Sequence, residues 1–175
     1  MSQSFAKIIV HLVFSTKNRE SWLVDEIRDE LHAYIGGIVE DHKGTLIKSG
    51  SVADHIHLLI THPRTISPAK LVQELKTGSY KWLKTKGERF SKFSWQTGYG
   101  IFSVSPSHRS ALEAYITNQA EHHRKVSFQD EYRRLLGNTE FNLMNAMFGI
   151  ELDAALSGLE FVLAAVPWAL PRAIA

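Results

Sequence analysis

The run HIHLLI at residues 55–60 fixes two faces at once. Successive side chains of a strand alternate sides, so Ile56, Leu58 and Ile60 share one face while His55 and His57 share the other. One side of the strand is built for a core, and the other carries imidazoles. The neighbouring segments supply the rest of such a sheet. FAKIIVHLVFSTK (5–17) is rich in β-branched and aromatic residues and reads as a first strand. TLIKSGSVA (45–53) reads as a strand that pairs with the histidine run as a hairpin, although its turn is not a clean two-residue type. FSWQTGYGIFSVS (93–105) reads as a fourth strand or bent hairpin, with Gly98 and Gly100 at points of close backbone approach.

Between these runs the apolar period changes. VDEIRDELHAYIGGIVEDH (24–42) spaces Ile27, Leu31, Tyr34, Ile35 and Val39 at helical intervals, with Asp25 as cap and Gly44 past the end. SPAKLVQELKTGSYKWLKT (67–85) opens a second helix with a proline in its first turn and stops at Gly87. SHRSALEAYITNQAEHHRKV (107–126) reads as a third helix, capped by Ser107. The order βαββαβ followed by a helix predicts an α+β, ferredoxin-like (RRM-like) antiparallel sheet, with helices on one face, the other face open, and a C-terminal tyrosine-bearing helix.

A chain of 175 residues fits one domain with a substantial core. It has no cysteine, which excludes disulfides and thiolate metal sites. No export signal is read at the N-terminus, and FVLAAVPWAL (161–170) is about half the length a spanning helix needs, so a cytoplasmic protein is expected. The net charge of +2 conceals an uneven distribution. Residues 64–92 hold Arg64, Lys70, Lys76, Lys81, Lys84, Lys86, Arg89 and Lys92 against Glu74 and Glu88, with Tyr80, Trp82 and Phe90 among them. Cations interleaved with rings suit single-stranded nucleic acid. A solvated amphipathic helix with its aromatics turned inward accounts for them equally well.

His55 and His57, two apart on a strand, can converge on one ion, but two ligands are too few. In the third helix Tyr115 and Gln119 are separated by four residues and share a face, which His122 and His123 continue. Two imidazoles and an amide oxygen with open positions would fit Mg²⁺ or Mn²⁺, and the open positions could take phosphate oxygens. A tyrosine beside such an ion is a natural nucleophile. The plainer alternatives are two half-exposed histidines and a Tyr115 packed on the sheet.

ADHIHLLI, ELKTGSYKWLK, FSWQTGYGIFSVS and YITNQAEHHRKVSFQDEYRRLL, in this order and spacing, resemble the single-tyrosine transposases of bacterial insertion sequences, within the HUH single-strand endonuclease superfamily. The resemblance covers residues 4–136 and implies a homodimeric enzyme that cuts and rejoins single-stranded, hairpin-bearing element ends. It implies His55 and His57 as the HUH metal ligands, Gln119 as the helix-borne third ligand and Tyr115 as the nucleophile, forming a 5′-phosphotyrosine link. In such a dimer the tyrosine helix of one subunit can complete the site of the other. Lys76 matches a basic position of the family's second helix, and with Lys70, Lys81, Lys84 and Arg89 is expected to touch DNA. Residues 1–136 then form the catalytic domain, and 137–175 a divergent apolar tail with too little positive charge for a DNA arm. Two other functions compete: an RRM-like module that binds single strands without cutting them, and a hydrolase in which His55, His57 and Asp54 activate water.

Overall fold

The computed structural model describes residues 5–122. Their strands are β1 (Ile9–Ser15), β2 (Thr45–Ser51), β3 (His55–Thr61) and β4 (Gly100–Ser103). The helices are α1 (Asp25–Asp41), α2 (Pro68–Lys84), α3 (Arg109–Thr117) and the single turn α4 (Gln119–His122). The sheet is antiparallel throughout, in the order β2-β3-β1-β4, which is the ferredoxin-like arrangement.

Alternation does what HIHLLI requires. Val10, Leu12 and Phe14 of β1 and Ile56, Leu58 and Ile60 of β3 form one apolar face, on which α1 lays Ile27, Leu31, Ile35 and Val39, and α2 lays Leu71, Val72, Leu75 and Leu83. Each such side chain contributes about 1.5–3 kcal/mol by leaving water, so this layer carries most of the stability of the described fold. Ser67 caps α2 by accepting from the Lys70 N–H, with Pro68 in the first turn as its fixed φ allows.

The opposite face is not open, contrary to the sequence-based expectation. α3 packs over β2 and β3, where Ile116 joins Ile9 and Leu59 in a second small core flanked by Leu112 and Tyr115. Gly50 permits this approach. It pairs directly with His57, and a Cβ at that position would stand 2.5 Å from the Ile116 carbonyl oxygen and 2.8 Å from its Cγ2. Backbone cannot yield as a flexible side chain can. Gly50→Ala is therefore expected to cost about 1–3 kcal/mol, read as a lower melting temperature with the far-UV spectrum of the sheet retained. An unchanged melting temperature would mean that α3 is not seated on β2.

Other boundaries also moved. α1 begins at Asp25, with Val24 at its N-cap and no side-chain cap. The fourth strand is only Gly100–Ser103, preceded by a lone bridge between Thr16 and Trp95. A Cβ at Gly98 would meet nothing, so no close approach demands that glycine. Ser107 lies in a 3-10 turn, Pro106–His108, rather than capping a helix. The helix expected over 107–126 breaks at Asn118, whose N–H is shared between the Ala114 and Tyr115 carbonyls. Asparagine competes with the helical backbone and favours such ends. His123, residues 124–126 and the apolar tail lie outside the described residues.

Candidate functional site

The histidine face converges beneath α3. His55 and His57 are 1% and 0% exposed, so they are not the half-exposed pair of the plainer reading. Their ring centroids are 5.2 Å apart, and the Tyr115 ring lies 6.0 Å from that of His57 at an interplanar angle of 70°. The approach occurs within one chain. Gln119, 1% exposed, stays on the same face despite the break at Asn118; its Oε1 would be 3.3 Å from a Cβ at Gly50, the residue paired with His57. His55, His57, Tyr115 and Gln119, which the sequence separates by up to 64 positions, thus meet on one patch of sheet.

His55 is held from behind. Its Nδ1 is 2.7 Å from Asp54 Oδ1, and Arg19 donates to Asp54 Oδ2 from Nη2 at 2.7 Å and from Nε at 3.1 Å. Burial pushes the Asp54 carboxyl up, but His55 and Arg19 outweigh it and hold it at about 2. Burial also pushes His55 below its ordinary value, against the pull of Asp54, which favours the neutral ring that a metal ligand needs. A carboxylate that fixes the proton on Nδ1 aims the lone pair at Nε2. This disposes of Asp54 as the base of a hydrolase, because both its oxygens are engaged behind the ring.

The folded-state value of Asp54 lies below its ordinary 3.8, so its contribution to stability is complete above that value and is lost as pH falls toward 2. The gap in melting temperature between wild type and Asp54→Asn is expected to close over that window. It should correspond to about 1–2 kcal/mol at neutral pH. A gap that persists at pH 2 would contradict the pairing.

The donor set can be tested against a divalent ion. Among the described residues no three His, Asp or Glu side chains group as a cation site, and the amide of Gln119 is the third donor the sequence offers beside the two imidazoles. The Gln119 amide has its nitrogen and oxygen both buried without a hydrogen-bond partner. Burying an amide so costs roughly 1–3 kcal/mol. An oxygen donor beside two imidazoles fits Mg²⁺ or Mn²⁺. His122 is the last residue of α4.

The basic stretch does not join the site. Lys70, Lys76, Lys81 and Lys84 ride on α2 and Arg89 on the turn that follows, in the helical layer across the sheet from Tyr115. Lys76, expected to touch DNA, is engaged within the chain. Its Nζ donates to the carbonyls of Gln96 (2.7 Å), Thr97 (3.1 Å) and Gly98 (2.7 Å), and burial pushes it down to about 8. It clamps the segment before β4. Lys70 pairs with Glu74, and Lys84 donates to the Ser91 carbonyl while lying over the Tyr80 ring. Phe90 is core, whereas Trp82 stacks on Tyr34 and is covered by Lys86.

The sequence reading missed Arg19 and His11. Arg19 gave no signal, because only the fold brings it to Asp54. His11 did: a histidine in the apolar run IIVHLVF raises the same question as HIHLLI. It is 1% exposed, its Nε2 lies 2.9 Å from His57 Nδ1, and burial pushes it down to about 4.

Comparison with known proteins finds transposases. The profile of a family described as "Transposase IS200 like" matches residues 4–119. The ISDra2 transposase TnpA of Deinococcus radiodurans is 26% identical over 114 residues, covering 62% of this chain and 81% of that protein. A crystal structure described as that of a transposase from Deinococcus radiodurans R1 is 26% identical, with a TM-score of 0.53 over 68% of this chain and 98% of its own. A REP-associated tyrosine transposase bound to a REP hairpin superposes with a TM-score of 0.54, over 72% of this chain and 74% of its own. At 16% identity that last likeness is one of fold.

Proposed function

The chain belongs to the IS200-like transposase family, whose members are DNA-cleaving enzymes, and from that premise we propose that it cuts and rejoins single-stranded, hairpin-bearing DNA ends through a phosphotyrosine at Tyr115. One observation carries the proposal: Tyr115 stands beside His57, 6.0 Å between rings, on a patch that also holds His55 and the unpartnered Gln119 amide. The reaction then needs no partner subunit to bring the phenol to the histidines in this conformation.

His55, His57 and Gln119 would hold a divalent ion, Mg²⁺ or Mn²⁺, which when bound polarises the scissile phosphate and offsets charge building on its oxygens. Tyr115 loses its proton to solvent and its Oη attacks phosphorus. The P–O3′ bond breaks, the 3′ oxygen takes up a proton, and the 5′ phosphate remains on tyrosine. Attack by a 3′-OH reverses the step, breaking P–Oη, so strands rejoin without ATP. α3 and the second small core keep the phenol registered on the sheet, which is how orientation lowers the barrier.

The REP hairpin held by the REP-associated tyrosine transposase supports a hairpin ligand here, and the α2 cations Lys70, Lys81 and Lys84, with Arg89 on the turn that follows, are proposed to meet its phosphates. A homodimer is part of the same reading, with sedimentation of the full chain as its check. Among the described residues no helix is long and apolar enough to cross a membrane.

Incubation with a labelled single-stranded hairpin oligonucleotide and Mn²⁺ tests the reading. A denaturation-resistant adduct that forms only with the ion is expected. Binding without adduct would make the chain a binding module, and cleavage without adduct a hydrolase.

A further inference from the structure

β1 brings to the site a third buried histidine that the reaction above does not use. Strand register sets His11 opposite Leu59 and Val13 opposite His57, so His11 reaches His57 along the diagonal between the two strands. The rings stack with centroids 5.1 Å apart and planes 25° apart, and Phe102, opposite His11 on β4, closes the far side at 6.2 Å. Leucine would fill this position without burying two ring nitrogens, so packing alone does not explain a histidine there.

The two candidate metal-binding imidazoles are supported differently. His55 has a carboxylate behind Nδ1, which can only accept, and the negative charge of that carboxylate is matched by Arg19. His57 has instead the Nε2 of another imidazole, 2.9 Å from its Nδ1, and which of the two nitrogens donates depends on the tautomers. We propose that His11 is a positioning residue for the strand-transfer reaction: its Nε2 accepts from the Nδ1–H of His57 and thereby fixes His57 in the tautomer whose Nε2 lone pair can bind the cation. The inference rests on the metal-site reading above. It also supplies a reason for imidazole at residue 11. A second carboxylate would orient His57 as well but would add a negative charge, without its own arginine, beside the place where an anionic phosphate must sit.

Nitrogen-15 correlation spectra of the metal-free protein and Mn²⁺ titrations of the same samples test it. Wild type should show His57 protonated at Nδ1, and His11→Leu should show a mixture of tautomers at residue 57. His11→Leu should bind Mn²⁺ about 10–100-fold more weakly. His11→Gln, whose amide oxygen sits about as far from the backbone as imidazole Nε2, should restore affinity to within about threefold of wild type. Melting curves should show both variants folded. A wild-type His57 protonated at Nε2 overturns the proposal whatever the ion does. So does His11→Leu binding as tightly as wild type, or His11→Gln failing to restore what His11→Leu loses, since packing alone would then explain the residue. Failure of wild type itself to bind Mn²⁺ would instead remove the metal-site reading, and the tautomer spectrum would still decide the role of His11.

Discussion

Tyr115→Phe is expected to form no covalent adduct with a hairpin oligonucleotide while binding it as wild type does. The substitution keeps the ring that packs against His57 and beside the Ile9, Leu59 and Ile116 cluster, and removes only the oxygen that would bond to phosphorus. Its structural cost is thus at most that of one hydroxyl, about 0.5–1.5 kcal/mol, whereas its chemical cost is the whole covalent route. Tyr80→Phe controls for a general loss of phenols, because Tyr80 belongs to α2 and packs near Phe93 and Lys84 on the far side of the sheet. It should form adduct normally. An adduct that persists in Tyr115→Phe would remove Tyr115 as nucleophile.

His57→Ala should lose cleavage by about 10²–10⁴-fold, the few kcal/mol that a metal contributes to a phosphoryl transition state, and should keep its fold and DNA binding. His57 is fully buried, so the fold will lose some stability as well. The decisive comparison is therefore with wild type stripped of divalent ions by chelation. If His57 acts through a cation, the two should be alike in forming no adduct, and excess Mn²⁺ should rescue the stripped wild type far better than the variant. A His57→Ala protein that does not fold would show instead that the imidazole is a core group.

Much of the fold was legible because β-strands report burial with period two and helices with a period near 3.6. The alternation in HIHLLI specified which face of β3 meets α1 and α2, and the spacing of Ile27, Leu31, Ile35 and Val39 specified the buried face of α1. What could not be read was the second layer on the histidine face. Only the pairing of Gly50 with His57 reveals that a helix can seat there, and a glycine in a strand is as easily a bulge. Of the site, HIHLLI and the four-residue spacing of Tyr115 and Gln119 were visible, whereas the supports behind the histidines were not. Arg19 and Asp54 meet across 35 positions, and His11 and His57 across 46. The charge run likewise could not show which of its cations are engaged within the chain: three carbonyls of residues 96–98 close over Lys76.

Peptide mapping of the isolated protein–DNA adduct by mass spectrometry bears most directly on the central claim. Tryptic digestion should leave the nucleotide mass on the peptide spanning residues 110–124, with fragmentation assigning it to Tyr115. A nucleotide carried by any other residue, Tyr132 included, would contradict the account.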